Sequence, residues 1–547
     1  MTNLEIAQAA TLLPIDQIAD NAGLQPDDYE PLGRYKAKLT YQAMERLAAD
    51  PKGKLILITA ITPTPAGEGK TTTCVGLAQG LQKIGRSAIP AIREPAMGPI
   101  FGVKGGACGG GYSQVLPMEE INLSFTGDFP AITAAHNLLS AMLDASVYHG
   151  NPLNIDVRSL WWPRAVDMND RALREIVIGL GGKTNGYPRQ DRVVITPASE
   201  VMAALCLSNT IAELRERLGR IIVALTPDNK AVTAADLKAH GAMAAILRDA
   251  IRPNLVQTIE HGPALVHGGP FANIAHGCSS VIATRCGLAL ADYLITEAGF
   301  AADLGAEKFM NIVSRSLGRG PDAVVLVCTV RALKHHGQGD DLTAIKSGMD
   351  NLLRHASHLQ RYGRPVIVAV NRFPSDTEGE LTAIRSVAAE SGLSVVVADP
   401  WNQGGEGCVD LAEAVAKAAD EPGEFQHLYS LEDDEATKLD SIARLAYGAE
   451  GVELTPTARR SIRWAVDNGY PNRPICVAKT QYSFSDDPKK LNAPMGFRIT
   501  VRDVKLAAGA GFLIALAGDI MLMPGLGATP SAQKIDVDER GTITGLF

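Results

Sequence analysis

The sequence is poor in features that would assign it at once to a structural class. Aromatic residues make up 5% of its 547 residues, and its formal charges sum to −8, so no positive field favours nucleic acid or a membrane surface. Its most apolar late stretch, residues 506–517, contains glycines and is shorter than the ~20 residues of a membrane-spanning helix. No basic stretch followed by an apolar core stands at the N-terminus, so we expect no secretory signal. These absences favour a cytoplasmic enzyme with neither nucleic acid nor membrane as a partner.

The usual sequence patterns of metal and disulfide sites are also missing. No two of the eight cysteines have C-x-x-C spacing, and the eleven histidines form no H-E-x-x-H motif. The cysteines stand in apolar or glycine-rich surroundings, as small buried apolar residues do. We therefore expect reduced thiols, without a zinc site or a disulfide framework.

Glycine, by contrast, is abundant. The chain has 53 glycines, whereas an average usage of ~7% would give roughly 38. Seven of the fourteen residues from Gly98 to Gly111 are glycine, and each would cost about 1 kcal/mol relative to alanine in a helix, so we predict a loop. Ile100 and Phe101 are unusual in a flexible linker, which is the alternative. They favour a backbone wall that closes over phosphates, with Lys104 as a second cation.

The apolar pattern predicts the fold class. Short apolar runs such as 54–60 and 87–92 alternate with helical stretches, which indicates an α/β protein with a doubly wound, mostly parallel sheet that contains a P-loop. At ~150 residues a domain, the length allows additional α/β domains. We predict a discontinuous nucleotide-binding domain over 1–125 and 241–360, an inserted α/β domain over 126–240 and a C-terminal α/β domain over 361–547.

One segment nearly matches the phosphate-binding motif G-x-x-x-x-G-K-[ST], with Thr64 in place of the first glycine. Gly67 and Gly69 let successive backbone N–H groups face one anion, Lys70 supplies a charge for the β- and γ-phosphates, and Thr71 offers a hydroxyl to Mg²⁺. The alternative is an ordinary glycine turn between a strand and a helix. The predicted ATP-binding residues are Thr64, Pro65, Ala66, Gly67, Glu68, Gly69, Lys70, Thr71 and Thr72.

Other candidate site residues follow apparent strand ends, which face the ligand crevice of such a sheet. Arg93 follows the strand at 87–92 and is expected to share a cleft with Lys70. Phe373 and Trp401 suit a flat ring that stacks on them, although either could fill a core instead. Three further segments are more ambiguous. The first is the loop with His267 and His276, whose rings bind either a ligand or only loop atoms. The second is the stretch Thr296 to Gly305. The third is Arg331 with Lys334, which either face anions or begin a solvated helix.

Together these motifs resemble the formate–tetrahydrofolate ligase (formyltetrahydrofolate synthetase) family along essentially the whole chain. The blocks that carry the resemblance are Thr64 to Thr73, Arg93-Glu-Pro95, Gly102 to Tyr112, Val327 to Lys334, Asn371-Arg-Phe-Pro374 and the Trp401 loop. Three residues depart from the family pattern without removing a charged or stacking group. Cys108 and Cys328 stand where alanine is usual, and Gln338 stands where glycine is usual.

The resemblance implies a two-step ligation. Formate attacks the γ-phosphate of MgATP to give formyl phosphate and ADP, and a nitrogen of tetrahydrofolate then attacks the formyl carbon and displaces phosphate. Lys70 and Arg93 would be the catalytic residues. The resemblance places Arg93, Glu94, Lys104, Gly105 and Gly106 at formyl phosphate or its loop, and Phe300, Phe373, Pro374 and Trp401 at the folate.

The resemblance also implies a homotetramer stimulated by a monovalent cation, potassium or ammonium, and a C-terminal domain that contributes to the folate and nucleotide pocket. Because the blocks that carry the resemblance span the chain, we expect no fused second enzyme. One alternative is a P-loop ATPase that acts as a partner switch, although such proteins are usually about half this length. A non-catalytic nucleotide-binding regulator is another.

Overall fold

The computed structural model describes residues 1–102, 107–518 and 520–546. The predicted site residues Lys104, Gly105 and Gly106 lie outside the described residues. The strands of the large sheet are β1 (Tyr29–Pro31), β2 (Ala37–Leu39), β3 (Lys54–Ala60), β4 (Ala88–Ile92), β5 (Gly109–Gly110), β6 (Ser113–Leu116), β7 (Asn254–Thr258), β8 (Pro263–Val266), β9 (Tyr293–Glu297), β10 (Ala323–Cys328), β11 (Val366–Asn371) and β12 (Ser394–Ala398).

Helices occupy the connections and the regions outside this sheet. They are α1 (Asn3–Ala9), α2 (Ile15–Asn21), α3 (Tyr41–Ala48), α4 (Lys70–Lys83), α5 (Met97–Phe101), α6 (Met118–Leu123), α7 (Asp128–Tyr148), α8 (Glu200–Cys206), α9 (Ile211–Arg220), α10 (His240–Ile246), α11 (Val281–Leu290), α12 (Ser314–Leu317), α13 (Val330–Gly337), α14 (Leu342–Gln360), α15 (Glu378–Glu390), α16 (Pro400–Gln403), α17 (Val409–Ala419), α18 (Glu435–Leu445) and α19 (Pro456–Asp467).

The large sheet is mostly parallel. Its strand order is β1-β2-β7-β8-β4-β9-β3-β10-β11-β12, and β6 pairs with β7 and with β5. In the spatial order from β8 through β4, β9, β3, β10 and β11 to β12, every neighbouring pair is parallel. The pairs that involve β1, β2, β5 or β6 are antiparallel, and so is the β7–β8 pair. This topology confirms the predicted α/β class with a mostly parallel central sheet.

Helices cover both faces of this sheet. On β3, Leu55 and Leu57 belong to the same apolar core as residues of α11 and α14, while Ile56 and Ile58 belong to the core that contains residues of α4 and α17. Because both faces are buried, the strand is a continuous apolar run rather than an alternating one. Among the described helices, none is long and apolar enough to cross a membrane.

Smaller sheets lie outside the central one. Their paired strands are Arg164–Val166 with Val193–Ile195, Ile176–Ile178 with Arg189–Asp191, Ile222–Leu225 with Ala231–Thr233, Val452–Leu454 with Ile499–Val501, Asp536–Val537 with Ile543–Thr544, and the trio Ile475–Ala478, Phe512–Leu516 and Asp503–Ala507. Separate apolar cores form around α7 to α10 and within residues 429–517. The central sheet itself continues beyond residue 360 into β11 and β12. The division into domains stays a prediction.

The glycine-rich segment is more regular than predicted. Helix α5 covers Met97–Phe101 and β5 covers Gly109–Gly110, so the prediction of a loop was wrong for these residues. A Cβ atom at Gly98 would lie 2.6 Å from Oδ1 of Asn169, and one at Gly111 would lie 2.0 Å from the carbonyl oxygen of Trp401. At Gly111, which also has a φ of 59°, glycine is required because a backbone atom approaches too closely for a side chain. At Gly98 in α5, close contact with the ends of the Asn169 and Ile195 side chains favours glycine despite its low helix propensity.

Candidate functional site

The candidate site lies where five parallel strands end. The order β4-β9-β3-β10-β11 places the residues after these strands side by side. The chain passes from β3 to β4 on one side of β3 and later adds β10 on its other side, which makes a topological switch point next to β3. The carboxyl ends of strands at such a point form the ligand crevice of open α/β sheets.

The loop of residues 64–69, hereafter called the phosphate loop after the function that the sequence predicts for it, joins β3 to α4. Gly67 and Gly69 have φ values of 78° and 75°, which favour glycine. A Cβ atom at Gly69 would also lie 2.3 Å from Nδ2 of Asn371. Helix α4 begins at Lys70 without a side-chain cap, so its first N–H groups remain available to an anion.

The side chain of Glu68 holds this loop in place through two hydrogen bonds. Its buried carboxylate accepts hydrogen bonds from the backbone N–H of Thr64 at 2.7 Å and from the hydroxyl of Thr329 at 2.5 Å. Thr64 does not have a positive φ, so its position does not require the glycine of the standard motif. Glu68, expected at ATP, therefore uses both carboxylate oxygens to hold the loop to the start of α13.

Two side chains from neighbouring strand ends bind carbonyl groups of the loop. The Asn371 amide donates to the carbonyl of Glu68 at 3.1 Å, and the Arg331 guanidinium donates to that of Gly67 at 2.7 Å. Lys334 instead forms an ion pair with Glu380 at 2.6 Å. Of the two cations expected to face anions, the structure brings only Arg331 to the loop.

Glu297 connects the phosphate loop with Arg93. The Thr71 hydroxyl donates to Oε2 of Glu297 at 2.8 Å, and Nη2 of Arg93 lies 3.8 Å from Oε1. Burial lowers the pKa of Lys70, while Glu297 and Glu68 favour its charged form. The site thus brings two cations and the hydroxyl of Thr71 together around one buried carboxylate.

Arg93 is held on its other side by the carbonyl of Pro270, to which Nη1 donates at 3.2 Å. Its Nε is buried and has no hydrogen-bond partner within the described part of the chain. An unpaired buried donor of this kind is expected to find a partner when a ligand binds. Arg93 and Lys70 thus lie near the same carboxylate, and the ligand cleft that the sequence predicts they share stays a prediction.

Two sequence comparisons identify the family to which this site belongs. A sequence model of the family described as formate--tetrahydrofolate ligase matches residues 1–547. The chain belongs to the formate–tetrahydrofolate ligase family. One relative, a formate--tetrahydrofolate ligase of Symbiobacterium thermophilum, is 55% identical over 100% of both chains.

These matches confirm the family resemblance and show that the chain is an enzyme, a formate–tetrahydrofolate ligase. They give no support to the alternative of a P-loop ATPase that acts as a partner switch.

The family resemblance places Glu94 at formyl phosphate, but its carboxyl group lies in a different buried cluster. Burial and the neighbouring carboxylate of Asp128 raise the pKa of Glu94 well above its usual range. Asp128 in turn forms a buried ion pair with Lys38 at 2.8 Å. Glu94 is the residue after Arg93, but only its backbone, and not its carboxyl group, lies next to Arg93. The backbone N–H of Glu94 donates a hydrogen bond to the carbonyl of Gly268 at 2.7 Å.

Phe300, which the resemblance places at the folate, lies in unusual backbone next to Arg93. It has a φ of 58°, and a Cβ atom at the preceding Gly299 would lie 3.3 Å from Nη1 of Arg93. Two π-helical turns follow, Ala302–Ala306 and Phe309–Val313. Left-handed non-glycine residues and π-helical turns are both frequent at functional sites.

The other residues placed at the folate lie at strand ends. The ring of Phe373 is 5.2 Å from the guanidinium carbon of Arg331, and Pro374 beside it is exposed. Trp401 lies in the short helix α16 and donates from its indole N–H to Oδ1 of Asn3 at 3.0 Å. The Trp401 carbonyl accepts a hydrogen bond from the N–H of Tyr112 at 2.9 Å. Trp401 thus links α1 to the glycine-rich segment.

The two histidines of the loop after β8 differ in role. His267 contacts the hydroxyl of Ser280 at 2.6 Å and the carbonyl of Ala250 at 2.7 Å, so it binds loop and helix atoms. His276 is fully buried, and neither ring nitrogen has a hydrogen-bond partner among the described residues. Burial, with Arg93 nearby, lowers the pKa of His276 to about 3 and keeps it neutral.

The sequence reasoning missed the roles of Glu297, Thr329 and Asn371. Each of them stands at or directly after the end of a buried apolar strand, which was the signal available. Their partners could not be recognised because they lie far away in the chain. Thr71 and Glu297, for example, are 226 residues apart.

Proposed function

We propose that this chain makes formyltetrahydrofolate from formate, tetrahydrofolate and ATP through a formyl phosphate intermediate, with release of ADP and phosphate. The supporting observation is that Lys70, Thr71 and Arg93 converge around Glu297 in a chain that matches the ligase family from end to end.

In the first step a formate oxygen attacks the γ-phosphorus and the bond to the β-phosphate oxygen of ADP breaks. Such a transfer needs positioning and charge neutralisation more than covalent chemistry. The phosphate loop and the N-terminus of α4 orient the phosphates, and Lys70 neutralises them. Arg93 is suited to hold formate and the transferred phosphoryl group because a guanidinium can bind two oxygens at once.

In the second step a nitrogen of tetrahydrofolate attacks the formyl carbon, loses its proton, and phosphate leaves with the electrons of the C–O bond. The same Arg93 retains the departing phosphate. We infer that Phe300, Phe373, Pro374 and Trp401 bind the folate, and that Lys104, Gly105 and Gly106 bind the phosphoryl group.

The residues present also fit the magnesium that accompanies ATP. Mg²⁺ prefers hard oxygen ligands, and it is commonly held by one or two carboxylates together with substrate phosphates. The hydroxyl of Thr71 and the carboxylate of Glu297 supply such oxygens within one hydrogen bond of each other. When bound, the metal would stabilise the negative charge that develops on the transferred phosphoryl group.

We further propose a P-loop-containing, doubly wound fold for residues 1–125 and 241–360, with an inserted domain at 126–240 and a C-terminal domain at 361–547. A homotetramer stimulated by potassium or ammonium, and a cytoplasmic location, belong to the same proposal. The burial of all eight cysteines as free thiols is consistent with a reducing compartment.

The decisive experiment measures ADP release with formate and tetrahydrofolate added singly and together. Sustained turnover should require both. A second arm adds hydroxylamine with formate and ATP but no folate, and formyl hydroxamate should accumulate as the trapped intermediate. ADP release that is independent of both substrates would contradict the proposed function, and turnover without any trapped hydroxamate would contradict the intermediate.

A further inference from the structure

Glu297 occupies a central place in the sheet and in the site. It ends β9, which lies between β3 and β4, and pairs with Ile58 of β3. Its side chain therefore lies between the phosphate loop, which follows β3, and Arg93, which follows β4. Only 3% of the residue is exposed.

Arg93 and Lys70 interact electrostatically with Glu297, but the one hydrogen bond to its carboxylate in the described part of the chain comes from a neutral group. Oε2 accepts a hydrogen bond from the neutral hydroxyl of Thr71 at 2.8 Å, whereas Oε1 lies 3.8 Å from Arg93, beyond hydrogen-bond distance. By comparison, the buried carboxylate of Asp128 bonds the ammonium of Lys38 directly at 2.8 Å. A buried carboxylate is costly unless a cation and hydrogen bonds compensate it.

We propose that Glu297 is the carboxylate with which this protein holds the magnesium ion of MgATP, together with the hydroxyl of Thr71. This assignment rests on the proposed function. Two independent observations carry it. One is the direct hydrogen bond to the hydroxyl that directly follows the phosphate-loop lysine. The other is the burial of a carboxylate whose ion-pair partner, Arg93, lies beyond hydrogen-bond distance. A loop hydroxyl and an acidic side chain on a neighbouring strand are the protein ligands for Mg²⁺ in phosphate-loop NTPases generally.

The assignment gives Glu297 a second role as a link between the two substrates. Without nucleotide, its carboxylate attracts Arg93. Once its charge is engaged at the nucleotide, that attraction weakens and the guanidinium is released to bind formate and the transferred phosphoryl group. Arg93 is then fully available only when MgATP is in place.

The test compares Glu297→Gln with the unmodified full-length protein in calorimetric titrations with ADP, in excess Mg²⁺ and in excess chelator. Glutamine keeps the size and one acceptor oxygen but removes the charge. Because loss of a residue that supports a metal typically costs 10- to 100-fold in metal affinity, we expect ADP affinity in Mg²⁺ to fall at least about tenfold. Affinity in chelator should change no more than about twofold, since the loop that binds the phosphates is unaltered.

Glu307→Gln is the matched control. Glu307 is a buried carboxylate in the same region that accepts a hydrogen bond from the Asn311 amide at 2.9 Å. This variant should retain the full gain in ADP affinity that Mg²⁺ gives. If Glu297→Gln does not fold, Glu297→Asp replaces it. Mg²⁺ should still raise the ADP affinity of that variant measurably, but less than it does for the unmodified protein.

Two outcomes would overturn the assignment. An equal loss of affinity with and without Mg²⁺ would make Glu297 a structural residue, and an unchanged gain from Mg²⁺ would place the metal elsewhere. Failure of the proposed function would look different. The unmodified protein would then bind MgADP without any turnover that depends on formate and tetrahydrofolate, and the role of Glu297 in binding would still be decided.

Discussion

At the scale of single residues, the site depends on a few charges placed where strands end. Lys70 lies at the first position of α4, and the carboxylates of Glu68 and Glu297 favour its charged form against the effect of burial. A point charge at this position can follow the transferred phosphoryl group because lysine has a flexible stem. Its removal should therefore affect the phosphoryl-transfer step directly.

Lys70→Ala should abolish formyl phosphate formation. Loss of one preorganised group that stabilises transition-state charge typically costs a hundredfold or more in kcat. The measurement is formyl hydroxamate trapped with ATP and formate alone. Lys83→Ala, in the last turn of the same helix, is the matched control and should remain active. Near-normal hydroxamate formation by Lys70→Ala would refute the role of the phosphate loop.

Trp401→Ala should raise the KM for tetrahydrofolate more than the KM for ATP. A stacked aromatic contact contributes about 0.5–1.5 kcal/mol beyond its buried area, which corresponds to roughly 2- to 10-fold in affinity. The control is Asn3→Ala, which removes the partner of the indole N–H and leaves the ring. Equal changes in both KM values would show that Trp401 only holds α1 against the glycine-rich segment.

At the scale of elements, the phosphate loop is held by residues at or after the ends of β10 and β11, the next two strands on one side of β3. Thr329 precedes α13 and accepts a hydrogen bond from the N–H of Ala332 at 3.0 Å, so it caps that helix as well as binding Glu68. The hydroxyl thus joins the cap of one helix to the loop before another. This arrangement orders the loop before any nucleotide arrives.

Thr329→Val should destabilise the protein and weaken nucleotide binding together. Loss of the cap costs about 1 kcal/mol, and an unpaired oxygen on buried Glu68 adds about 1–3 kcal/mol, so we expect about 2–4 kcal/mol in total. Denaturant unfolding and ADP titration provide the measurements. Thr329→Ser keeps the hydroxyl and should lose little in either. A loss with serine but none with valine would mean that the methyl group of Thr329, and not its hydroxyl, matters.

At the scale of the whole molecule, the regions outside the central sheet are tied to the site by buried polar contacts. Lys479, directly after the strand Ile475–Ala478, forms an ion pair with Asp303 at 2.7 Å, and their side chains are 0% and 2% exposed. Asp303 stands three residues after Phe300, so this pair fixes the backbone beside the proposed folate site. Removal of one partner alone would leave a buried charge unpaired.

A second contact of this scale predicts how stability depends on pH. Glu200 begins α8 and accepts a hydrogen bond from the N–H of Gly509, between two strands of the C-terminal sheet, at 2.6 Å. Burial raises the pKa of Glu200 to about 7. Between its ordinary pKa near 4.5 and pH 7 only the folded protein keeps this proton, so stability decreases as the pH rises through this range.

Glu200→Gln should therefore flatten the decrease in unfolding free energy between pH 5 and pH 8. Glutamine keeps an acceptor for Gly509 and cannot ionise. The measurement is denaturant unfolding at several pH values, with Glu216→Gln, an exposed position on α9, as the control. A slope as steep as that of the unaltered protein would show that Glu200 does not ionise in this range.

The sequence by itself determined the features that are continuous along the chain. These are the apolar strands of a mostly parallel sheet, the glycines and the lysine of the phosphate loop, and the motifs that identify the family. Local patterns suffice for them because buried parallel strands and left-handed turns leave their marks within a few residues. Only the tertiary structure decided which distant side chains meet. Strand order brings Glu297 to Thr71 and Thr329 to Glu68, across 226 and 261 residues. It also decided that Gly98 and Gly111 make room for protein atoms, because close packing between distant segments depends on the folded chain and not on local propensity.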